Sequence, residues 1–184
     1  MDRWHTGRLL VATPALDDPN FDRVVILVLD HDEDGALGVV LNRASAVPIQ
    51  ETLDGWIELV AAPRVVFGGG PVEPMAIVAL GRATPEEAPD GATRILERIR
   101  LVDLDMDPIL AAAELERVRV FAGYAGWAPE QLEDEIAQGA WFAIDAEPTD
   151  VFTDDPGGLW HAVLRRQRDA LKLLATYPTD PSLN

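Results

Sequence analysis

The order of apolar and polar residues predicts strands before any helix in the first part of the chain. Gly7–Thr13 is mostly apolar and predicts a strand that Pro14 ends. Arg23–Leu29 is apolar at almost every position, which indicates a central strand buried on both faces. The turn-rich segment Asp30–Gly35 follows, and Ala36–Asn42 predicts the returning strand of a β-hairpin.

The middle of the chain mixes helical spacing with short apolar runs. Pro48–Ala61 has apolar residues at helical intervals and predicts an amphipathic helix, which Gly55 weakens. Asp107 is a natural N-cap followed by Pro108, so a second helix is predicted to run to Glu116. Further elements are a polar loop at Thr84–Thr93 and strands at Arg64–Phe67, Met75–Leu80, part of Ile95–Leu104 and Arg117–Ala122.

The stretch Gly123–Trp141 is the most distinctive part of the sequence. Its residues, GYAGWAPEQLEDEIAQGAW, predict the end of a strand, a tight aromatic turn flanked by glycines, a helix and a new strand. The helix is predicted to begin at Pro129 and to stop at Gly139, with a strand at Trp141–Ile144. A last helix is predicted over residues 156–176, before Tyr177 and Pro178.

This order of elements favours an α+β fold. Two hairpin-like segments come before any helix, which argues against a doubly wound parallel sheet. No internal repeat or linker divides the chain. We therefore predict a single domain over residues 1–184, with about four helices flanking the sheet.

Composition and charge narrow the classes of function. Apolar residues make up 48% of the 184 residues, enough to bury a core. The 15 Lys and Arg stand against 32 Asp and Glu, which gives a net charge of −17 at pH 7. Such a surface repels phosphate backbones and anionic lipid, so neither direct nucleic-acid contact nor membrane binding is expected. No segment resembles a signal peptide or approaches about 20 apolar residues, which favours the cytoplasm.

Residue types disfavour several kinds of chemistry. The chain has no cysteine, which excludes thiol catalysis, disulfides and thiolate metal sites. His5, His31 and His161 are isolated from one another, so no metal site and no cofactor are predicted. Ser45 and Ser182 are the only serines, and neither lies in a nucleophile elbow.

The helix of the central stretch offers the best candidate site. Leu132 and Ile136 are one turn apart and are predicted to face the core, whereas Glu130 and Asp134 point towards water. At about 100° per residue, three polar side chains share one flank of this apolar stripe. With two aromatic residues and an asparagine they define a candidate ligand or partner cleft, made of Asn42, Tyr124, Trp127, Gln131, Glu135 and Gln138.

Several interpretations of this cleft stay open. It fits a non-enzymatic binding or regulatory module that acts through a protein partner or a small ligand. It also fits an enzyme in which Glu135 is the general base, while Asn42 and Gln131 orient a small polar substrate. A structural role is favoured, in which Gln131 and Glu135 bond to backbone amides of the turn, because most side-chain hydrogen bonds go to backbone or water. A regulator that contacts DNA directly is disfavoured by the net charge.

Three other motifs favour structural explanations. Asp30, Asp32 and Asp34 begin a calcium-loop pattern, but Leu41 replaces its twelfth-position acid, so a solvated hairpin turn with His31 exposed is predicted. Gly68–Gly70 lacks the Lys and Ser/Thr of a phosphate loop, which favours close backbone packing. A basic cluster near the end is predicted to serve solubility and pairing with nearby acids: Arg165, Arg166, Arg168 and Lys172.

Several segments, taken in order, resemble the AlgH/YqgE family of bacterial proteins. They are Gly7–Pro14, Asp18–Phe21, His31, Gly35–Arg43, Gly69–Pro71, Gly123–Trp127, Gln131–Glu133, Glu135, Ile136, Gly139, Trp141, Phe152 and Trp160. The resemblance covers roughly residues 7–164 and leaves the predicted C-terminal helix, residues 156–176, divergent. It implies a cytosolic α+β protein whose branched, mostly antiparallel sheet curls into a pseudo-barrel with helices outside. It implies no established reaction, although one branch has been called a transcriptional regulator.

The sequence departs from the family pattern next to the aromatic segment. Ala122 stands where many relatives place Ser. Ala128 and Glu130 occupy positions that are often Gly in the family, which is expected to stiffen the predicted turn.

Overall fold

Strands of one sheet form most of the regular structure. The computed structural model describes residues 4–16, 18–85, 87, 94–168 and 170–176. Within these residues ten strands belong to a single sheet. Their bounds are β1 Arg8–Ala12, β2 Val25–Asp32, β3 Gly35–Val40, β4 Ala44–Pro48, β5 Val65–Gly68, β6 Val72–Ala83, β7 Arg94–Leu96, β8 Ile99–Leu101, β9 Leu115–Trp127 and β10 Trp141–Asp145. The predicted hairpin is β2 and β3, which pair antiparallel.

The sheet branches at β9. This long strand pairs antiparallel with β3 and β6, and parallel with β5. The main path runs β10-β1-β2-β3-β9-β6-β8-β7, while β4 joins through β5. The path ends in β10 and β7, which do not pair with each other, so the sheet is not closed among the described strands. The predicted single-domain α+β fold with a branched, mostly antiparallel sheet is confirmed.

Six short helices flank the sheet in the described part of the chain, where we predict about four. They are α1 Gln50–Leu53, α2 Pro108–Glu114, α3 Gln131–Ala137, α4 Pro148–Val151, α5 Leu159–Arg165 and α6 Ala170–Leu174. The N-cap of α2 is the predicted one, because the Asp107 carboxylate accepts from the Ile109 amide at 2.8 Å.

Apolar side chains bury both faces of the sheet. Along β1, Leu9 and Val11 belong to one cluster, and Leu10 and Ala12 to another, as the twofold alternation of a strand requires. The first cluster also contains Trp160 of α5, whose indole donates to the Ala12 carbonyl at 2.9 Å. The second is covered by α3, so the candidate helix lies on the opposite face from α5.

The predicted tight aromatic turn at Gly123–Trp127 is wrong, because these residues continue β9. Gly126 and Trp127 pair with Leu37 and Ala36 at the start of β3. Gly123 has a φ of +73°, which bends the strand without reversing the chain. The glycines suggest a turn here, but Gly123 instead allows a close contact with the backbone of Gly70.

Two predicted helices are also shorter than expected. Pro48–Ala61 contains only α1 and a single 3-10 turn at Asp54–Trp56. The helix does not continue, because Val60 pairs with Val118 of β9 in a β-bridge at the sheet. The helix predicted over residues 156–176 is divided into α5 and α6 after a 3-10 turn at Pro156–Gly158. Arg166 is the C-cap of α5, and its guanidinium donates to Asp150 at 2.6 and 2.7 Å.

The remaining predicted segments have mixed outcomes. Part of Ile95–Leu104 forms β8, and with β7 it makes a hairpin at one edge of the sheet. Most of the predicted loop Thr84–Thr93 lies outside the described residues, as do Tyr177, Pro178 and Ser182. No helix of the described residues is long and apolar enough to cross a lipid bilayer.

Candidate functional site

Helix α3 starts two residues later than predicted and carries the candidate site. It begins at Gln131, and its N-cap Glu130 has a left-handed backbone with a φ of 65°. Leu132 is fully buried in the core, whereas Glu130 and Asp134 are exposed as predicted. Pro129 therefore lies in the connection before α3, and the chain turns at Glu130 instead of at the glycines before it.

Replacing Glu130 with glycine is expected to raise the free energy of unfolding by about 0.5 to 1 kcal/mol. A left-handed conformation costs a side-chain-bearing residue about 1 to 2 kcal/mol, and the larger entropy of an unfolded glycine offsets part of the gain. Urea denaturation measures the change. Asp134→Gly is the control, because Asp134 lies in the first turn of α3 and its replacement is expected to cost about 0.5 kcal/mol in helix propensity and helix-dipole interaction. Equal losses in both variants would contradict the assignment of strain to Glu130.

A carboxylate between two indoles is the central feature of the site. Glu135 Oε2 accepts from Trp127 Nε1 at 2.9 Å and from Trp141 Nε1 at 2.7 Å. The two indoles meet edge to face, with ring centroids 6.0 Å apart, and both are buried. Gln131 donates to Glu135 Oε1 at 2.8 Å. We call these four residues the indole–carboxylate cluster.

The cluster joins three separate elements of the fold. Trp127 ends β9, Trp141 begins β10, and Glu135 with Gln131 lies on α3 between them. Gln131 Oε1 also accepts from the Ala128 amide at 3.0 Å, so part of the predicted bonding to backbone is present. Glu135 bonds to the indoles instead of to backbone amides. Each buried indole N–H needs an acceptor, and the carboxylate supplies one for both.

The other predicted cleft residues lie away from this cluster. Asn42 Oδ1 accepts from the Val25 amide and its Nδ2 donates to the Arg23 carbonyl, both at 2.9 Å, which fixes the start of β2. Tyr124 packs on the face opposite Trp127, where burial and the neighbouring Glu73 raise the pKa of its phenol. Gln138 is exposed at the end of α3. The structure thus brings together Trp127, Gln131 and Glu135 of the six.

The sequence reasoning missed Trp141 as a member of the cluster. Trp141 was placed only on the following strand, whereas its indole makes the shorter of the two bonds to Glu135. The available signal was the need of a buried tryptophan N–H for a hydrogen-bond acceptor.

His31 is buried, and the prediction that it is exposed on a turn is wrong. It lies in β2, beyond an irregularity in the β2–β3 register, and its side chain is wholly inaccessible. Its Nδ1 accepts from the His5 amide at 3.1 Å, and its Nε2 is 3.5 Å from Glu133. Burial, followed by the charges of His31 and Arg8, lowers the pKa of the stacked His5 ring, while Glu133 opposes this shift.

The alternative motifs have structural roles. Asp32 accepts from the Asp34 amide at 2.8 Å in the exposed hairpin turn. Among the described residues, no group of three or more His, Asp or Glu is arranged to hold a metal ion. Gly69 and Gly70 lie against the backbone of Gly123 and Tyr124, which confirms the predicted close packing. In the basic cluster, Arg166 pairs with Asp150 as predicted.

A separate concave surface, which we call the apolar groove, was not predicted. It has a volume of about 370 Å³ and lies between β4 and the first half of β6, over β5. Its walls include Val47 and Met75, and its floor includes Val66, Phe67 and Ala122. No local sequence pattern predicts this groove, because its walls come from segments far apart in the chain.

The chain is similar to known bacterial proteins over most of its length. The model of the family described as AlgH-like matches residues 9–172. The chain belongs to the AlgH-like family. A protein of Streptomyces avermitilis named UPF0301 protein is 55% identical over 183 residues, covering 97% of this chain and 95% of the relative. A similarly named protein of Mycobacterium tuberculosis is 43% identical over 187 residues, covering 99% of this chain and 92% of the relative.

Two solved structures share the fold of this chain. The crystal structure of protein DIP2367 from Corynebacterium diphtheriae has a TM-score of 0.88 at 35% identity, covering 94% of this chain and 92% of that one. The solution structure of the AlgH protein from Pseudomonas aeruginosa has a TM-score of 0.71 at 27% identity, covering 98% and 97%. The resemblance predicted from the sequence is therefore confirmed, and the relatives' names state no reaction.

Proposed function

We propose that this family member is a non-enzymatic binding protein of the bacterial cytoplasm that recognises a basic protein segment through its apolar groove. The observation that carries the proposal is the exposure of apolar side chains around one concavity. Met75 is 91% exposed, and Val47 and Ile77 are each 44% exposed. Exposed apolar surface of this kind, in a concave setting, is typical of interaction sites.

The indole–carboxylate cluster supports a structural role over catalysis. Both carboxylate oxygens of Glu135 already accept hydrogen bonds from side chains of the same cluster. A general base must reach a substrate proton, and here three of the about four acceptor sites of the carboxylate are already occupied. Asn42, which the enzyme hypothesis requires beside it, bonds to the backbone around β2.

The shape of the groove favours insertion of a side chain over addition of a strand. β4 pairs with β5 and with no other described strand, so its second edge is open. That edge is blunted, because Pro48 has no amide hydrogen and the Val47 amide donates to Ser45 Oγ at 3.1 Å. A partner therefore gains little binding free energy from main-chain hydrogen bonds and more from an apolar side chain inserted between Val47 and Met75.

The negative charge of the protein indicates which kind of partner the groove binds. The groove residues are uncharged, but exposed acids, Glu51 and Glu73, directly adjoin groove residues Thr52 and Pro74 in the chain. The whole chain carries a net charge of −17, which attracts basic partners and repels acidic ones and anionic lipid. We therefore expect a segment with one large apolar residue flanked by Lys or Arg.

Selection from a phage-displayed library of random peptides on the purified protein tests this proposal. The enriched peptides are expected to share a large apolar residue beside basic residues. Fluorescence polarisation should show that Met75→Asp weakens their binding by about tenfold or more, since the change puts a charge at the mouth of an apolar site.

The matched control is Leu173→Asp, which places the same charge on an exposed apolar residue of α6. Leu173 is 71% exposed and does not line the groove. The Leu173→Asp variant is expected to bind the peptides like the parent protein. Peptides that bind Met75→Asp and the parent equally, or that lack basic residues, would refute the proposed mode of recognition.

A further inference from the structure

Arginine side chains gather around a second groove, of about 620 Å³, that the proposed function does not use. It is bordered by strands β6 and β9, by the segment before β5, and by the loop after α4. Arg82 of β6 and Arg117 of β9 line it. Arg119 lies two residues further along β9, on the same face of the sheet. We call this surface the arginine groove.

Two of these arginines are direct neighbours of like charge. Arg82 and Arg117 occupy opposite positions of the antiparallel β6–β9 ladder. Like charges in such positions destabilise a sheet. Arg82 is compensated by Glu116, at 3.2 Å, but this acid is also bound by Arg98 at 2.6 Å. The hydrogen bond from Arg98 is the main reason that the pKa of Glu116 is lowered.

Arg119 is a buried cation beneath this groove with hydrogen-bonding capacity left over. Only 1% of it is exposed. Its Nη2 donates to the Ala62 carbonyl at 2.7 Å and to the Thr153 carbonyl at 3.1 Å, and both residues line the groove. Its Nε and Nη1 have no hydrogen-bond partner among the described residues. Burial, with Arg117 next in importance, lowers its pKa to about 10, while Asp154 opposes this shift, so the charge persists at neutral pH.

The remaining lining combines apolar contact with local acids. Phe152 and Leu59 supply apolar surface, and the Arg117 guanidinium lies 6.0 Å from the Phe152 ring centroid. Three exposed acids, Glu58, Glu116 and Asp154, are also parts of the lining. The negative charge of distant parts of the chain is screened over about 8 Å at physiological salt, so the arginines and acids of the lining together determine what can bind.

We propose that the arginine groove binds a small organic anion, with a carboxylate or phosphate group held by Arg117 and Arg82 and an apolar body against Phe152. Guanidinium groups recognise both kinds of oxyanion through paired N–H donors. The anion relieves the repulsion between the facing arginines and adds to the negative charge that Asp154 already places near the buried Arg119. This site is separate from the apolar groove and independent of the peptide that binds there.

Nuclear magnetic resonance of the arginine Nε–Hε groups tests the proposal on the full chain. Phenyl phosphate and phenylacetate are titrated as the two oxyanion probes, and 2-phenylethanol as the neutral probe. Saturable shifts of the Arg117 or Arg119 signal are expected with at least one anion and not with the alcohol. Comparison of the two dissociation constants then distinguishes a phosphate site from a carboxylate site.

Variants decide whether the arginines bind the anion. Arg117→Gln is expected to weaken binding by about tenfold or more, because a charge-assisted hydrogen bond is lost. Arg117 is exposed, so the variant is expected to fold. Arg165→Gln, on the exposed face of α5, is the matched control and should bind like the parent. Absence of saturable shifts with both anions, equal shifts with the alcohol, or unchanged binding by Arg117→Gln would each overturn the proposal.

Discussion

Replacing Glu135 with leucine is expected to lower the free energy of unfolding by about 2 to 4 kcal/mol. The change leaves the indole N–H groups of Trp127 and Trp141 without their acceptor, and both tryptophans are buried. A buried donor that loses its partner costs about 1 to 3 kcal/mol. Leucine restores some apolar contact, so the expected loss of unfolding free energy is smaller than the summed cost of two unpaired indole donors. Urea denaturation followed by tryptophan fluorescence measures the change.

Glu135→Gln is the matched variant for this experiment. Its amide oxygen can still accept from an indole, but the bond is no longer charge-assisted, so a loss of about 1 kcal/mol is expected. A leucine variant no less stable than the glutamine variant would show that the carboxylate does not hold β9, α3 and β10 together.

Replacing Gly69 with alanine is expected to cost about 3 kcal/mol or more. A Cβ atom at this position would lie 2.2 Å from the carbonyl oxygen of Gly123 and 3.1 Å from the Phe121 Cβ. The Gly69 amide donates to the Ala122 carbonyl, and its own carbonyl accepts from the Val40 amide, both at 2.8 Å. The backbone is thus fixed on both sides, and a clash with it cannot be relieved by a change of rotamer.

The control for Gly69→Ala is Gly157→Ala. The added Cβ there meets no atom closer than 3.8 Å, and the site is exposed. Its effect is expected to stay within about 0.5 kcal/mol. Thermal unfolding of the two variants in parallel gives the difference, and similar melting temperatures would contradict the close packing of β5 against β9.

The sequence predicted the elements whose signals are local. The apolar run at Arg23–Leu29 indicated the buried β2, and Asp107 with Pro108 marked the start of α2. Helical spacing put Leu132 in the core. These features depend on alternation, capping and periodicity, which neighbouring residues alone determine.

Features that depend on distant contacts were missed. Gly123 and Gly126 suggest a turn. The structure shows instead that Gly123 lets the backbone of Gly70, more than fifty residues away in the chain, pack closely against β9. His31 was expected on an exposed turn, yet the His5 backbone and Glu133 enclose it from two other parts of the chain. The two grooves were missed for the same reason, because each is lined by several strands and loops.

The most direct test of the proposed function compares Met75→Asp and Glu135→Gln in one binding experiment. A peptide selected on the parent protein is titrated into both variants, and the dissociation constants are set beside their free energies of unfolding. We expect Met75→Asp to keep its stability and to lose binding by about tenfold or more, since Met75 is almost wholly exposed. We expect Glu135→Gln to lose stability and to bind like the parent. Loss of binding in Glu135→Gln with unchanged binding in Met75→Asp would contradict the proposal. That result would indicate that the indole–carboxylate cluster is the binding site.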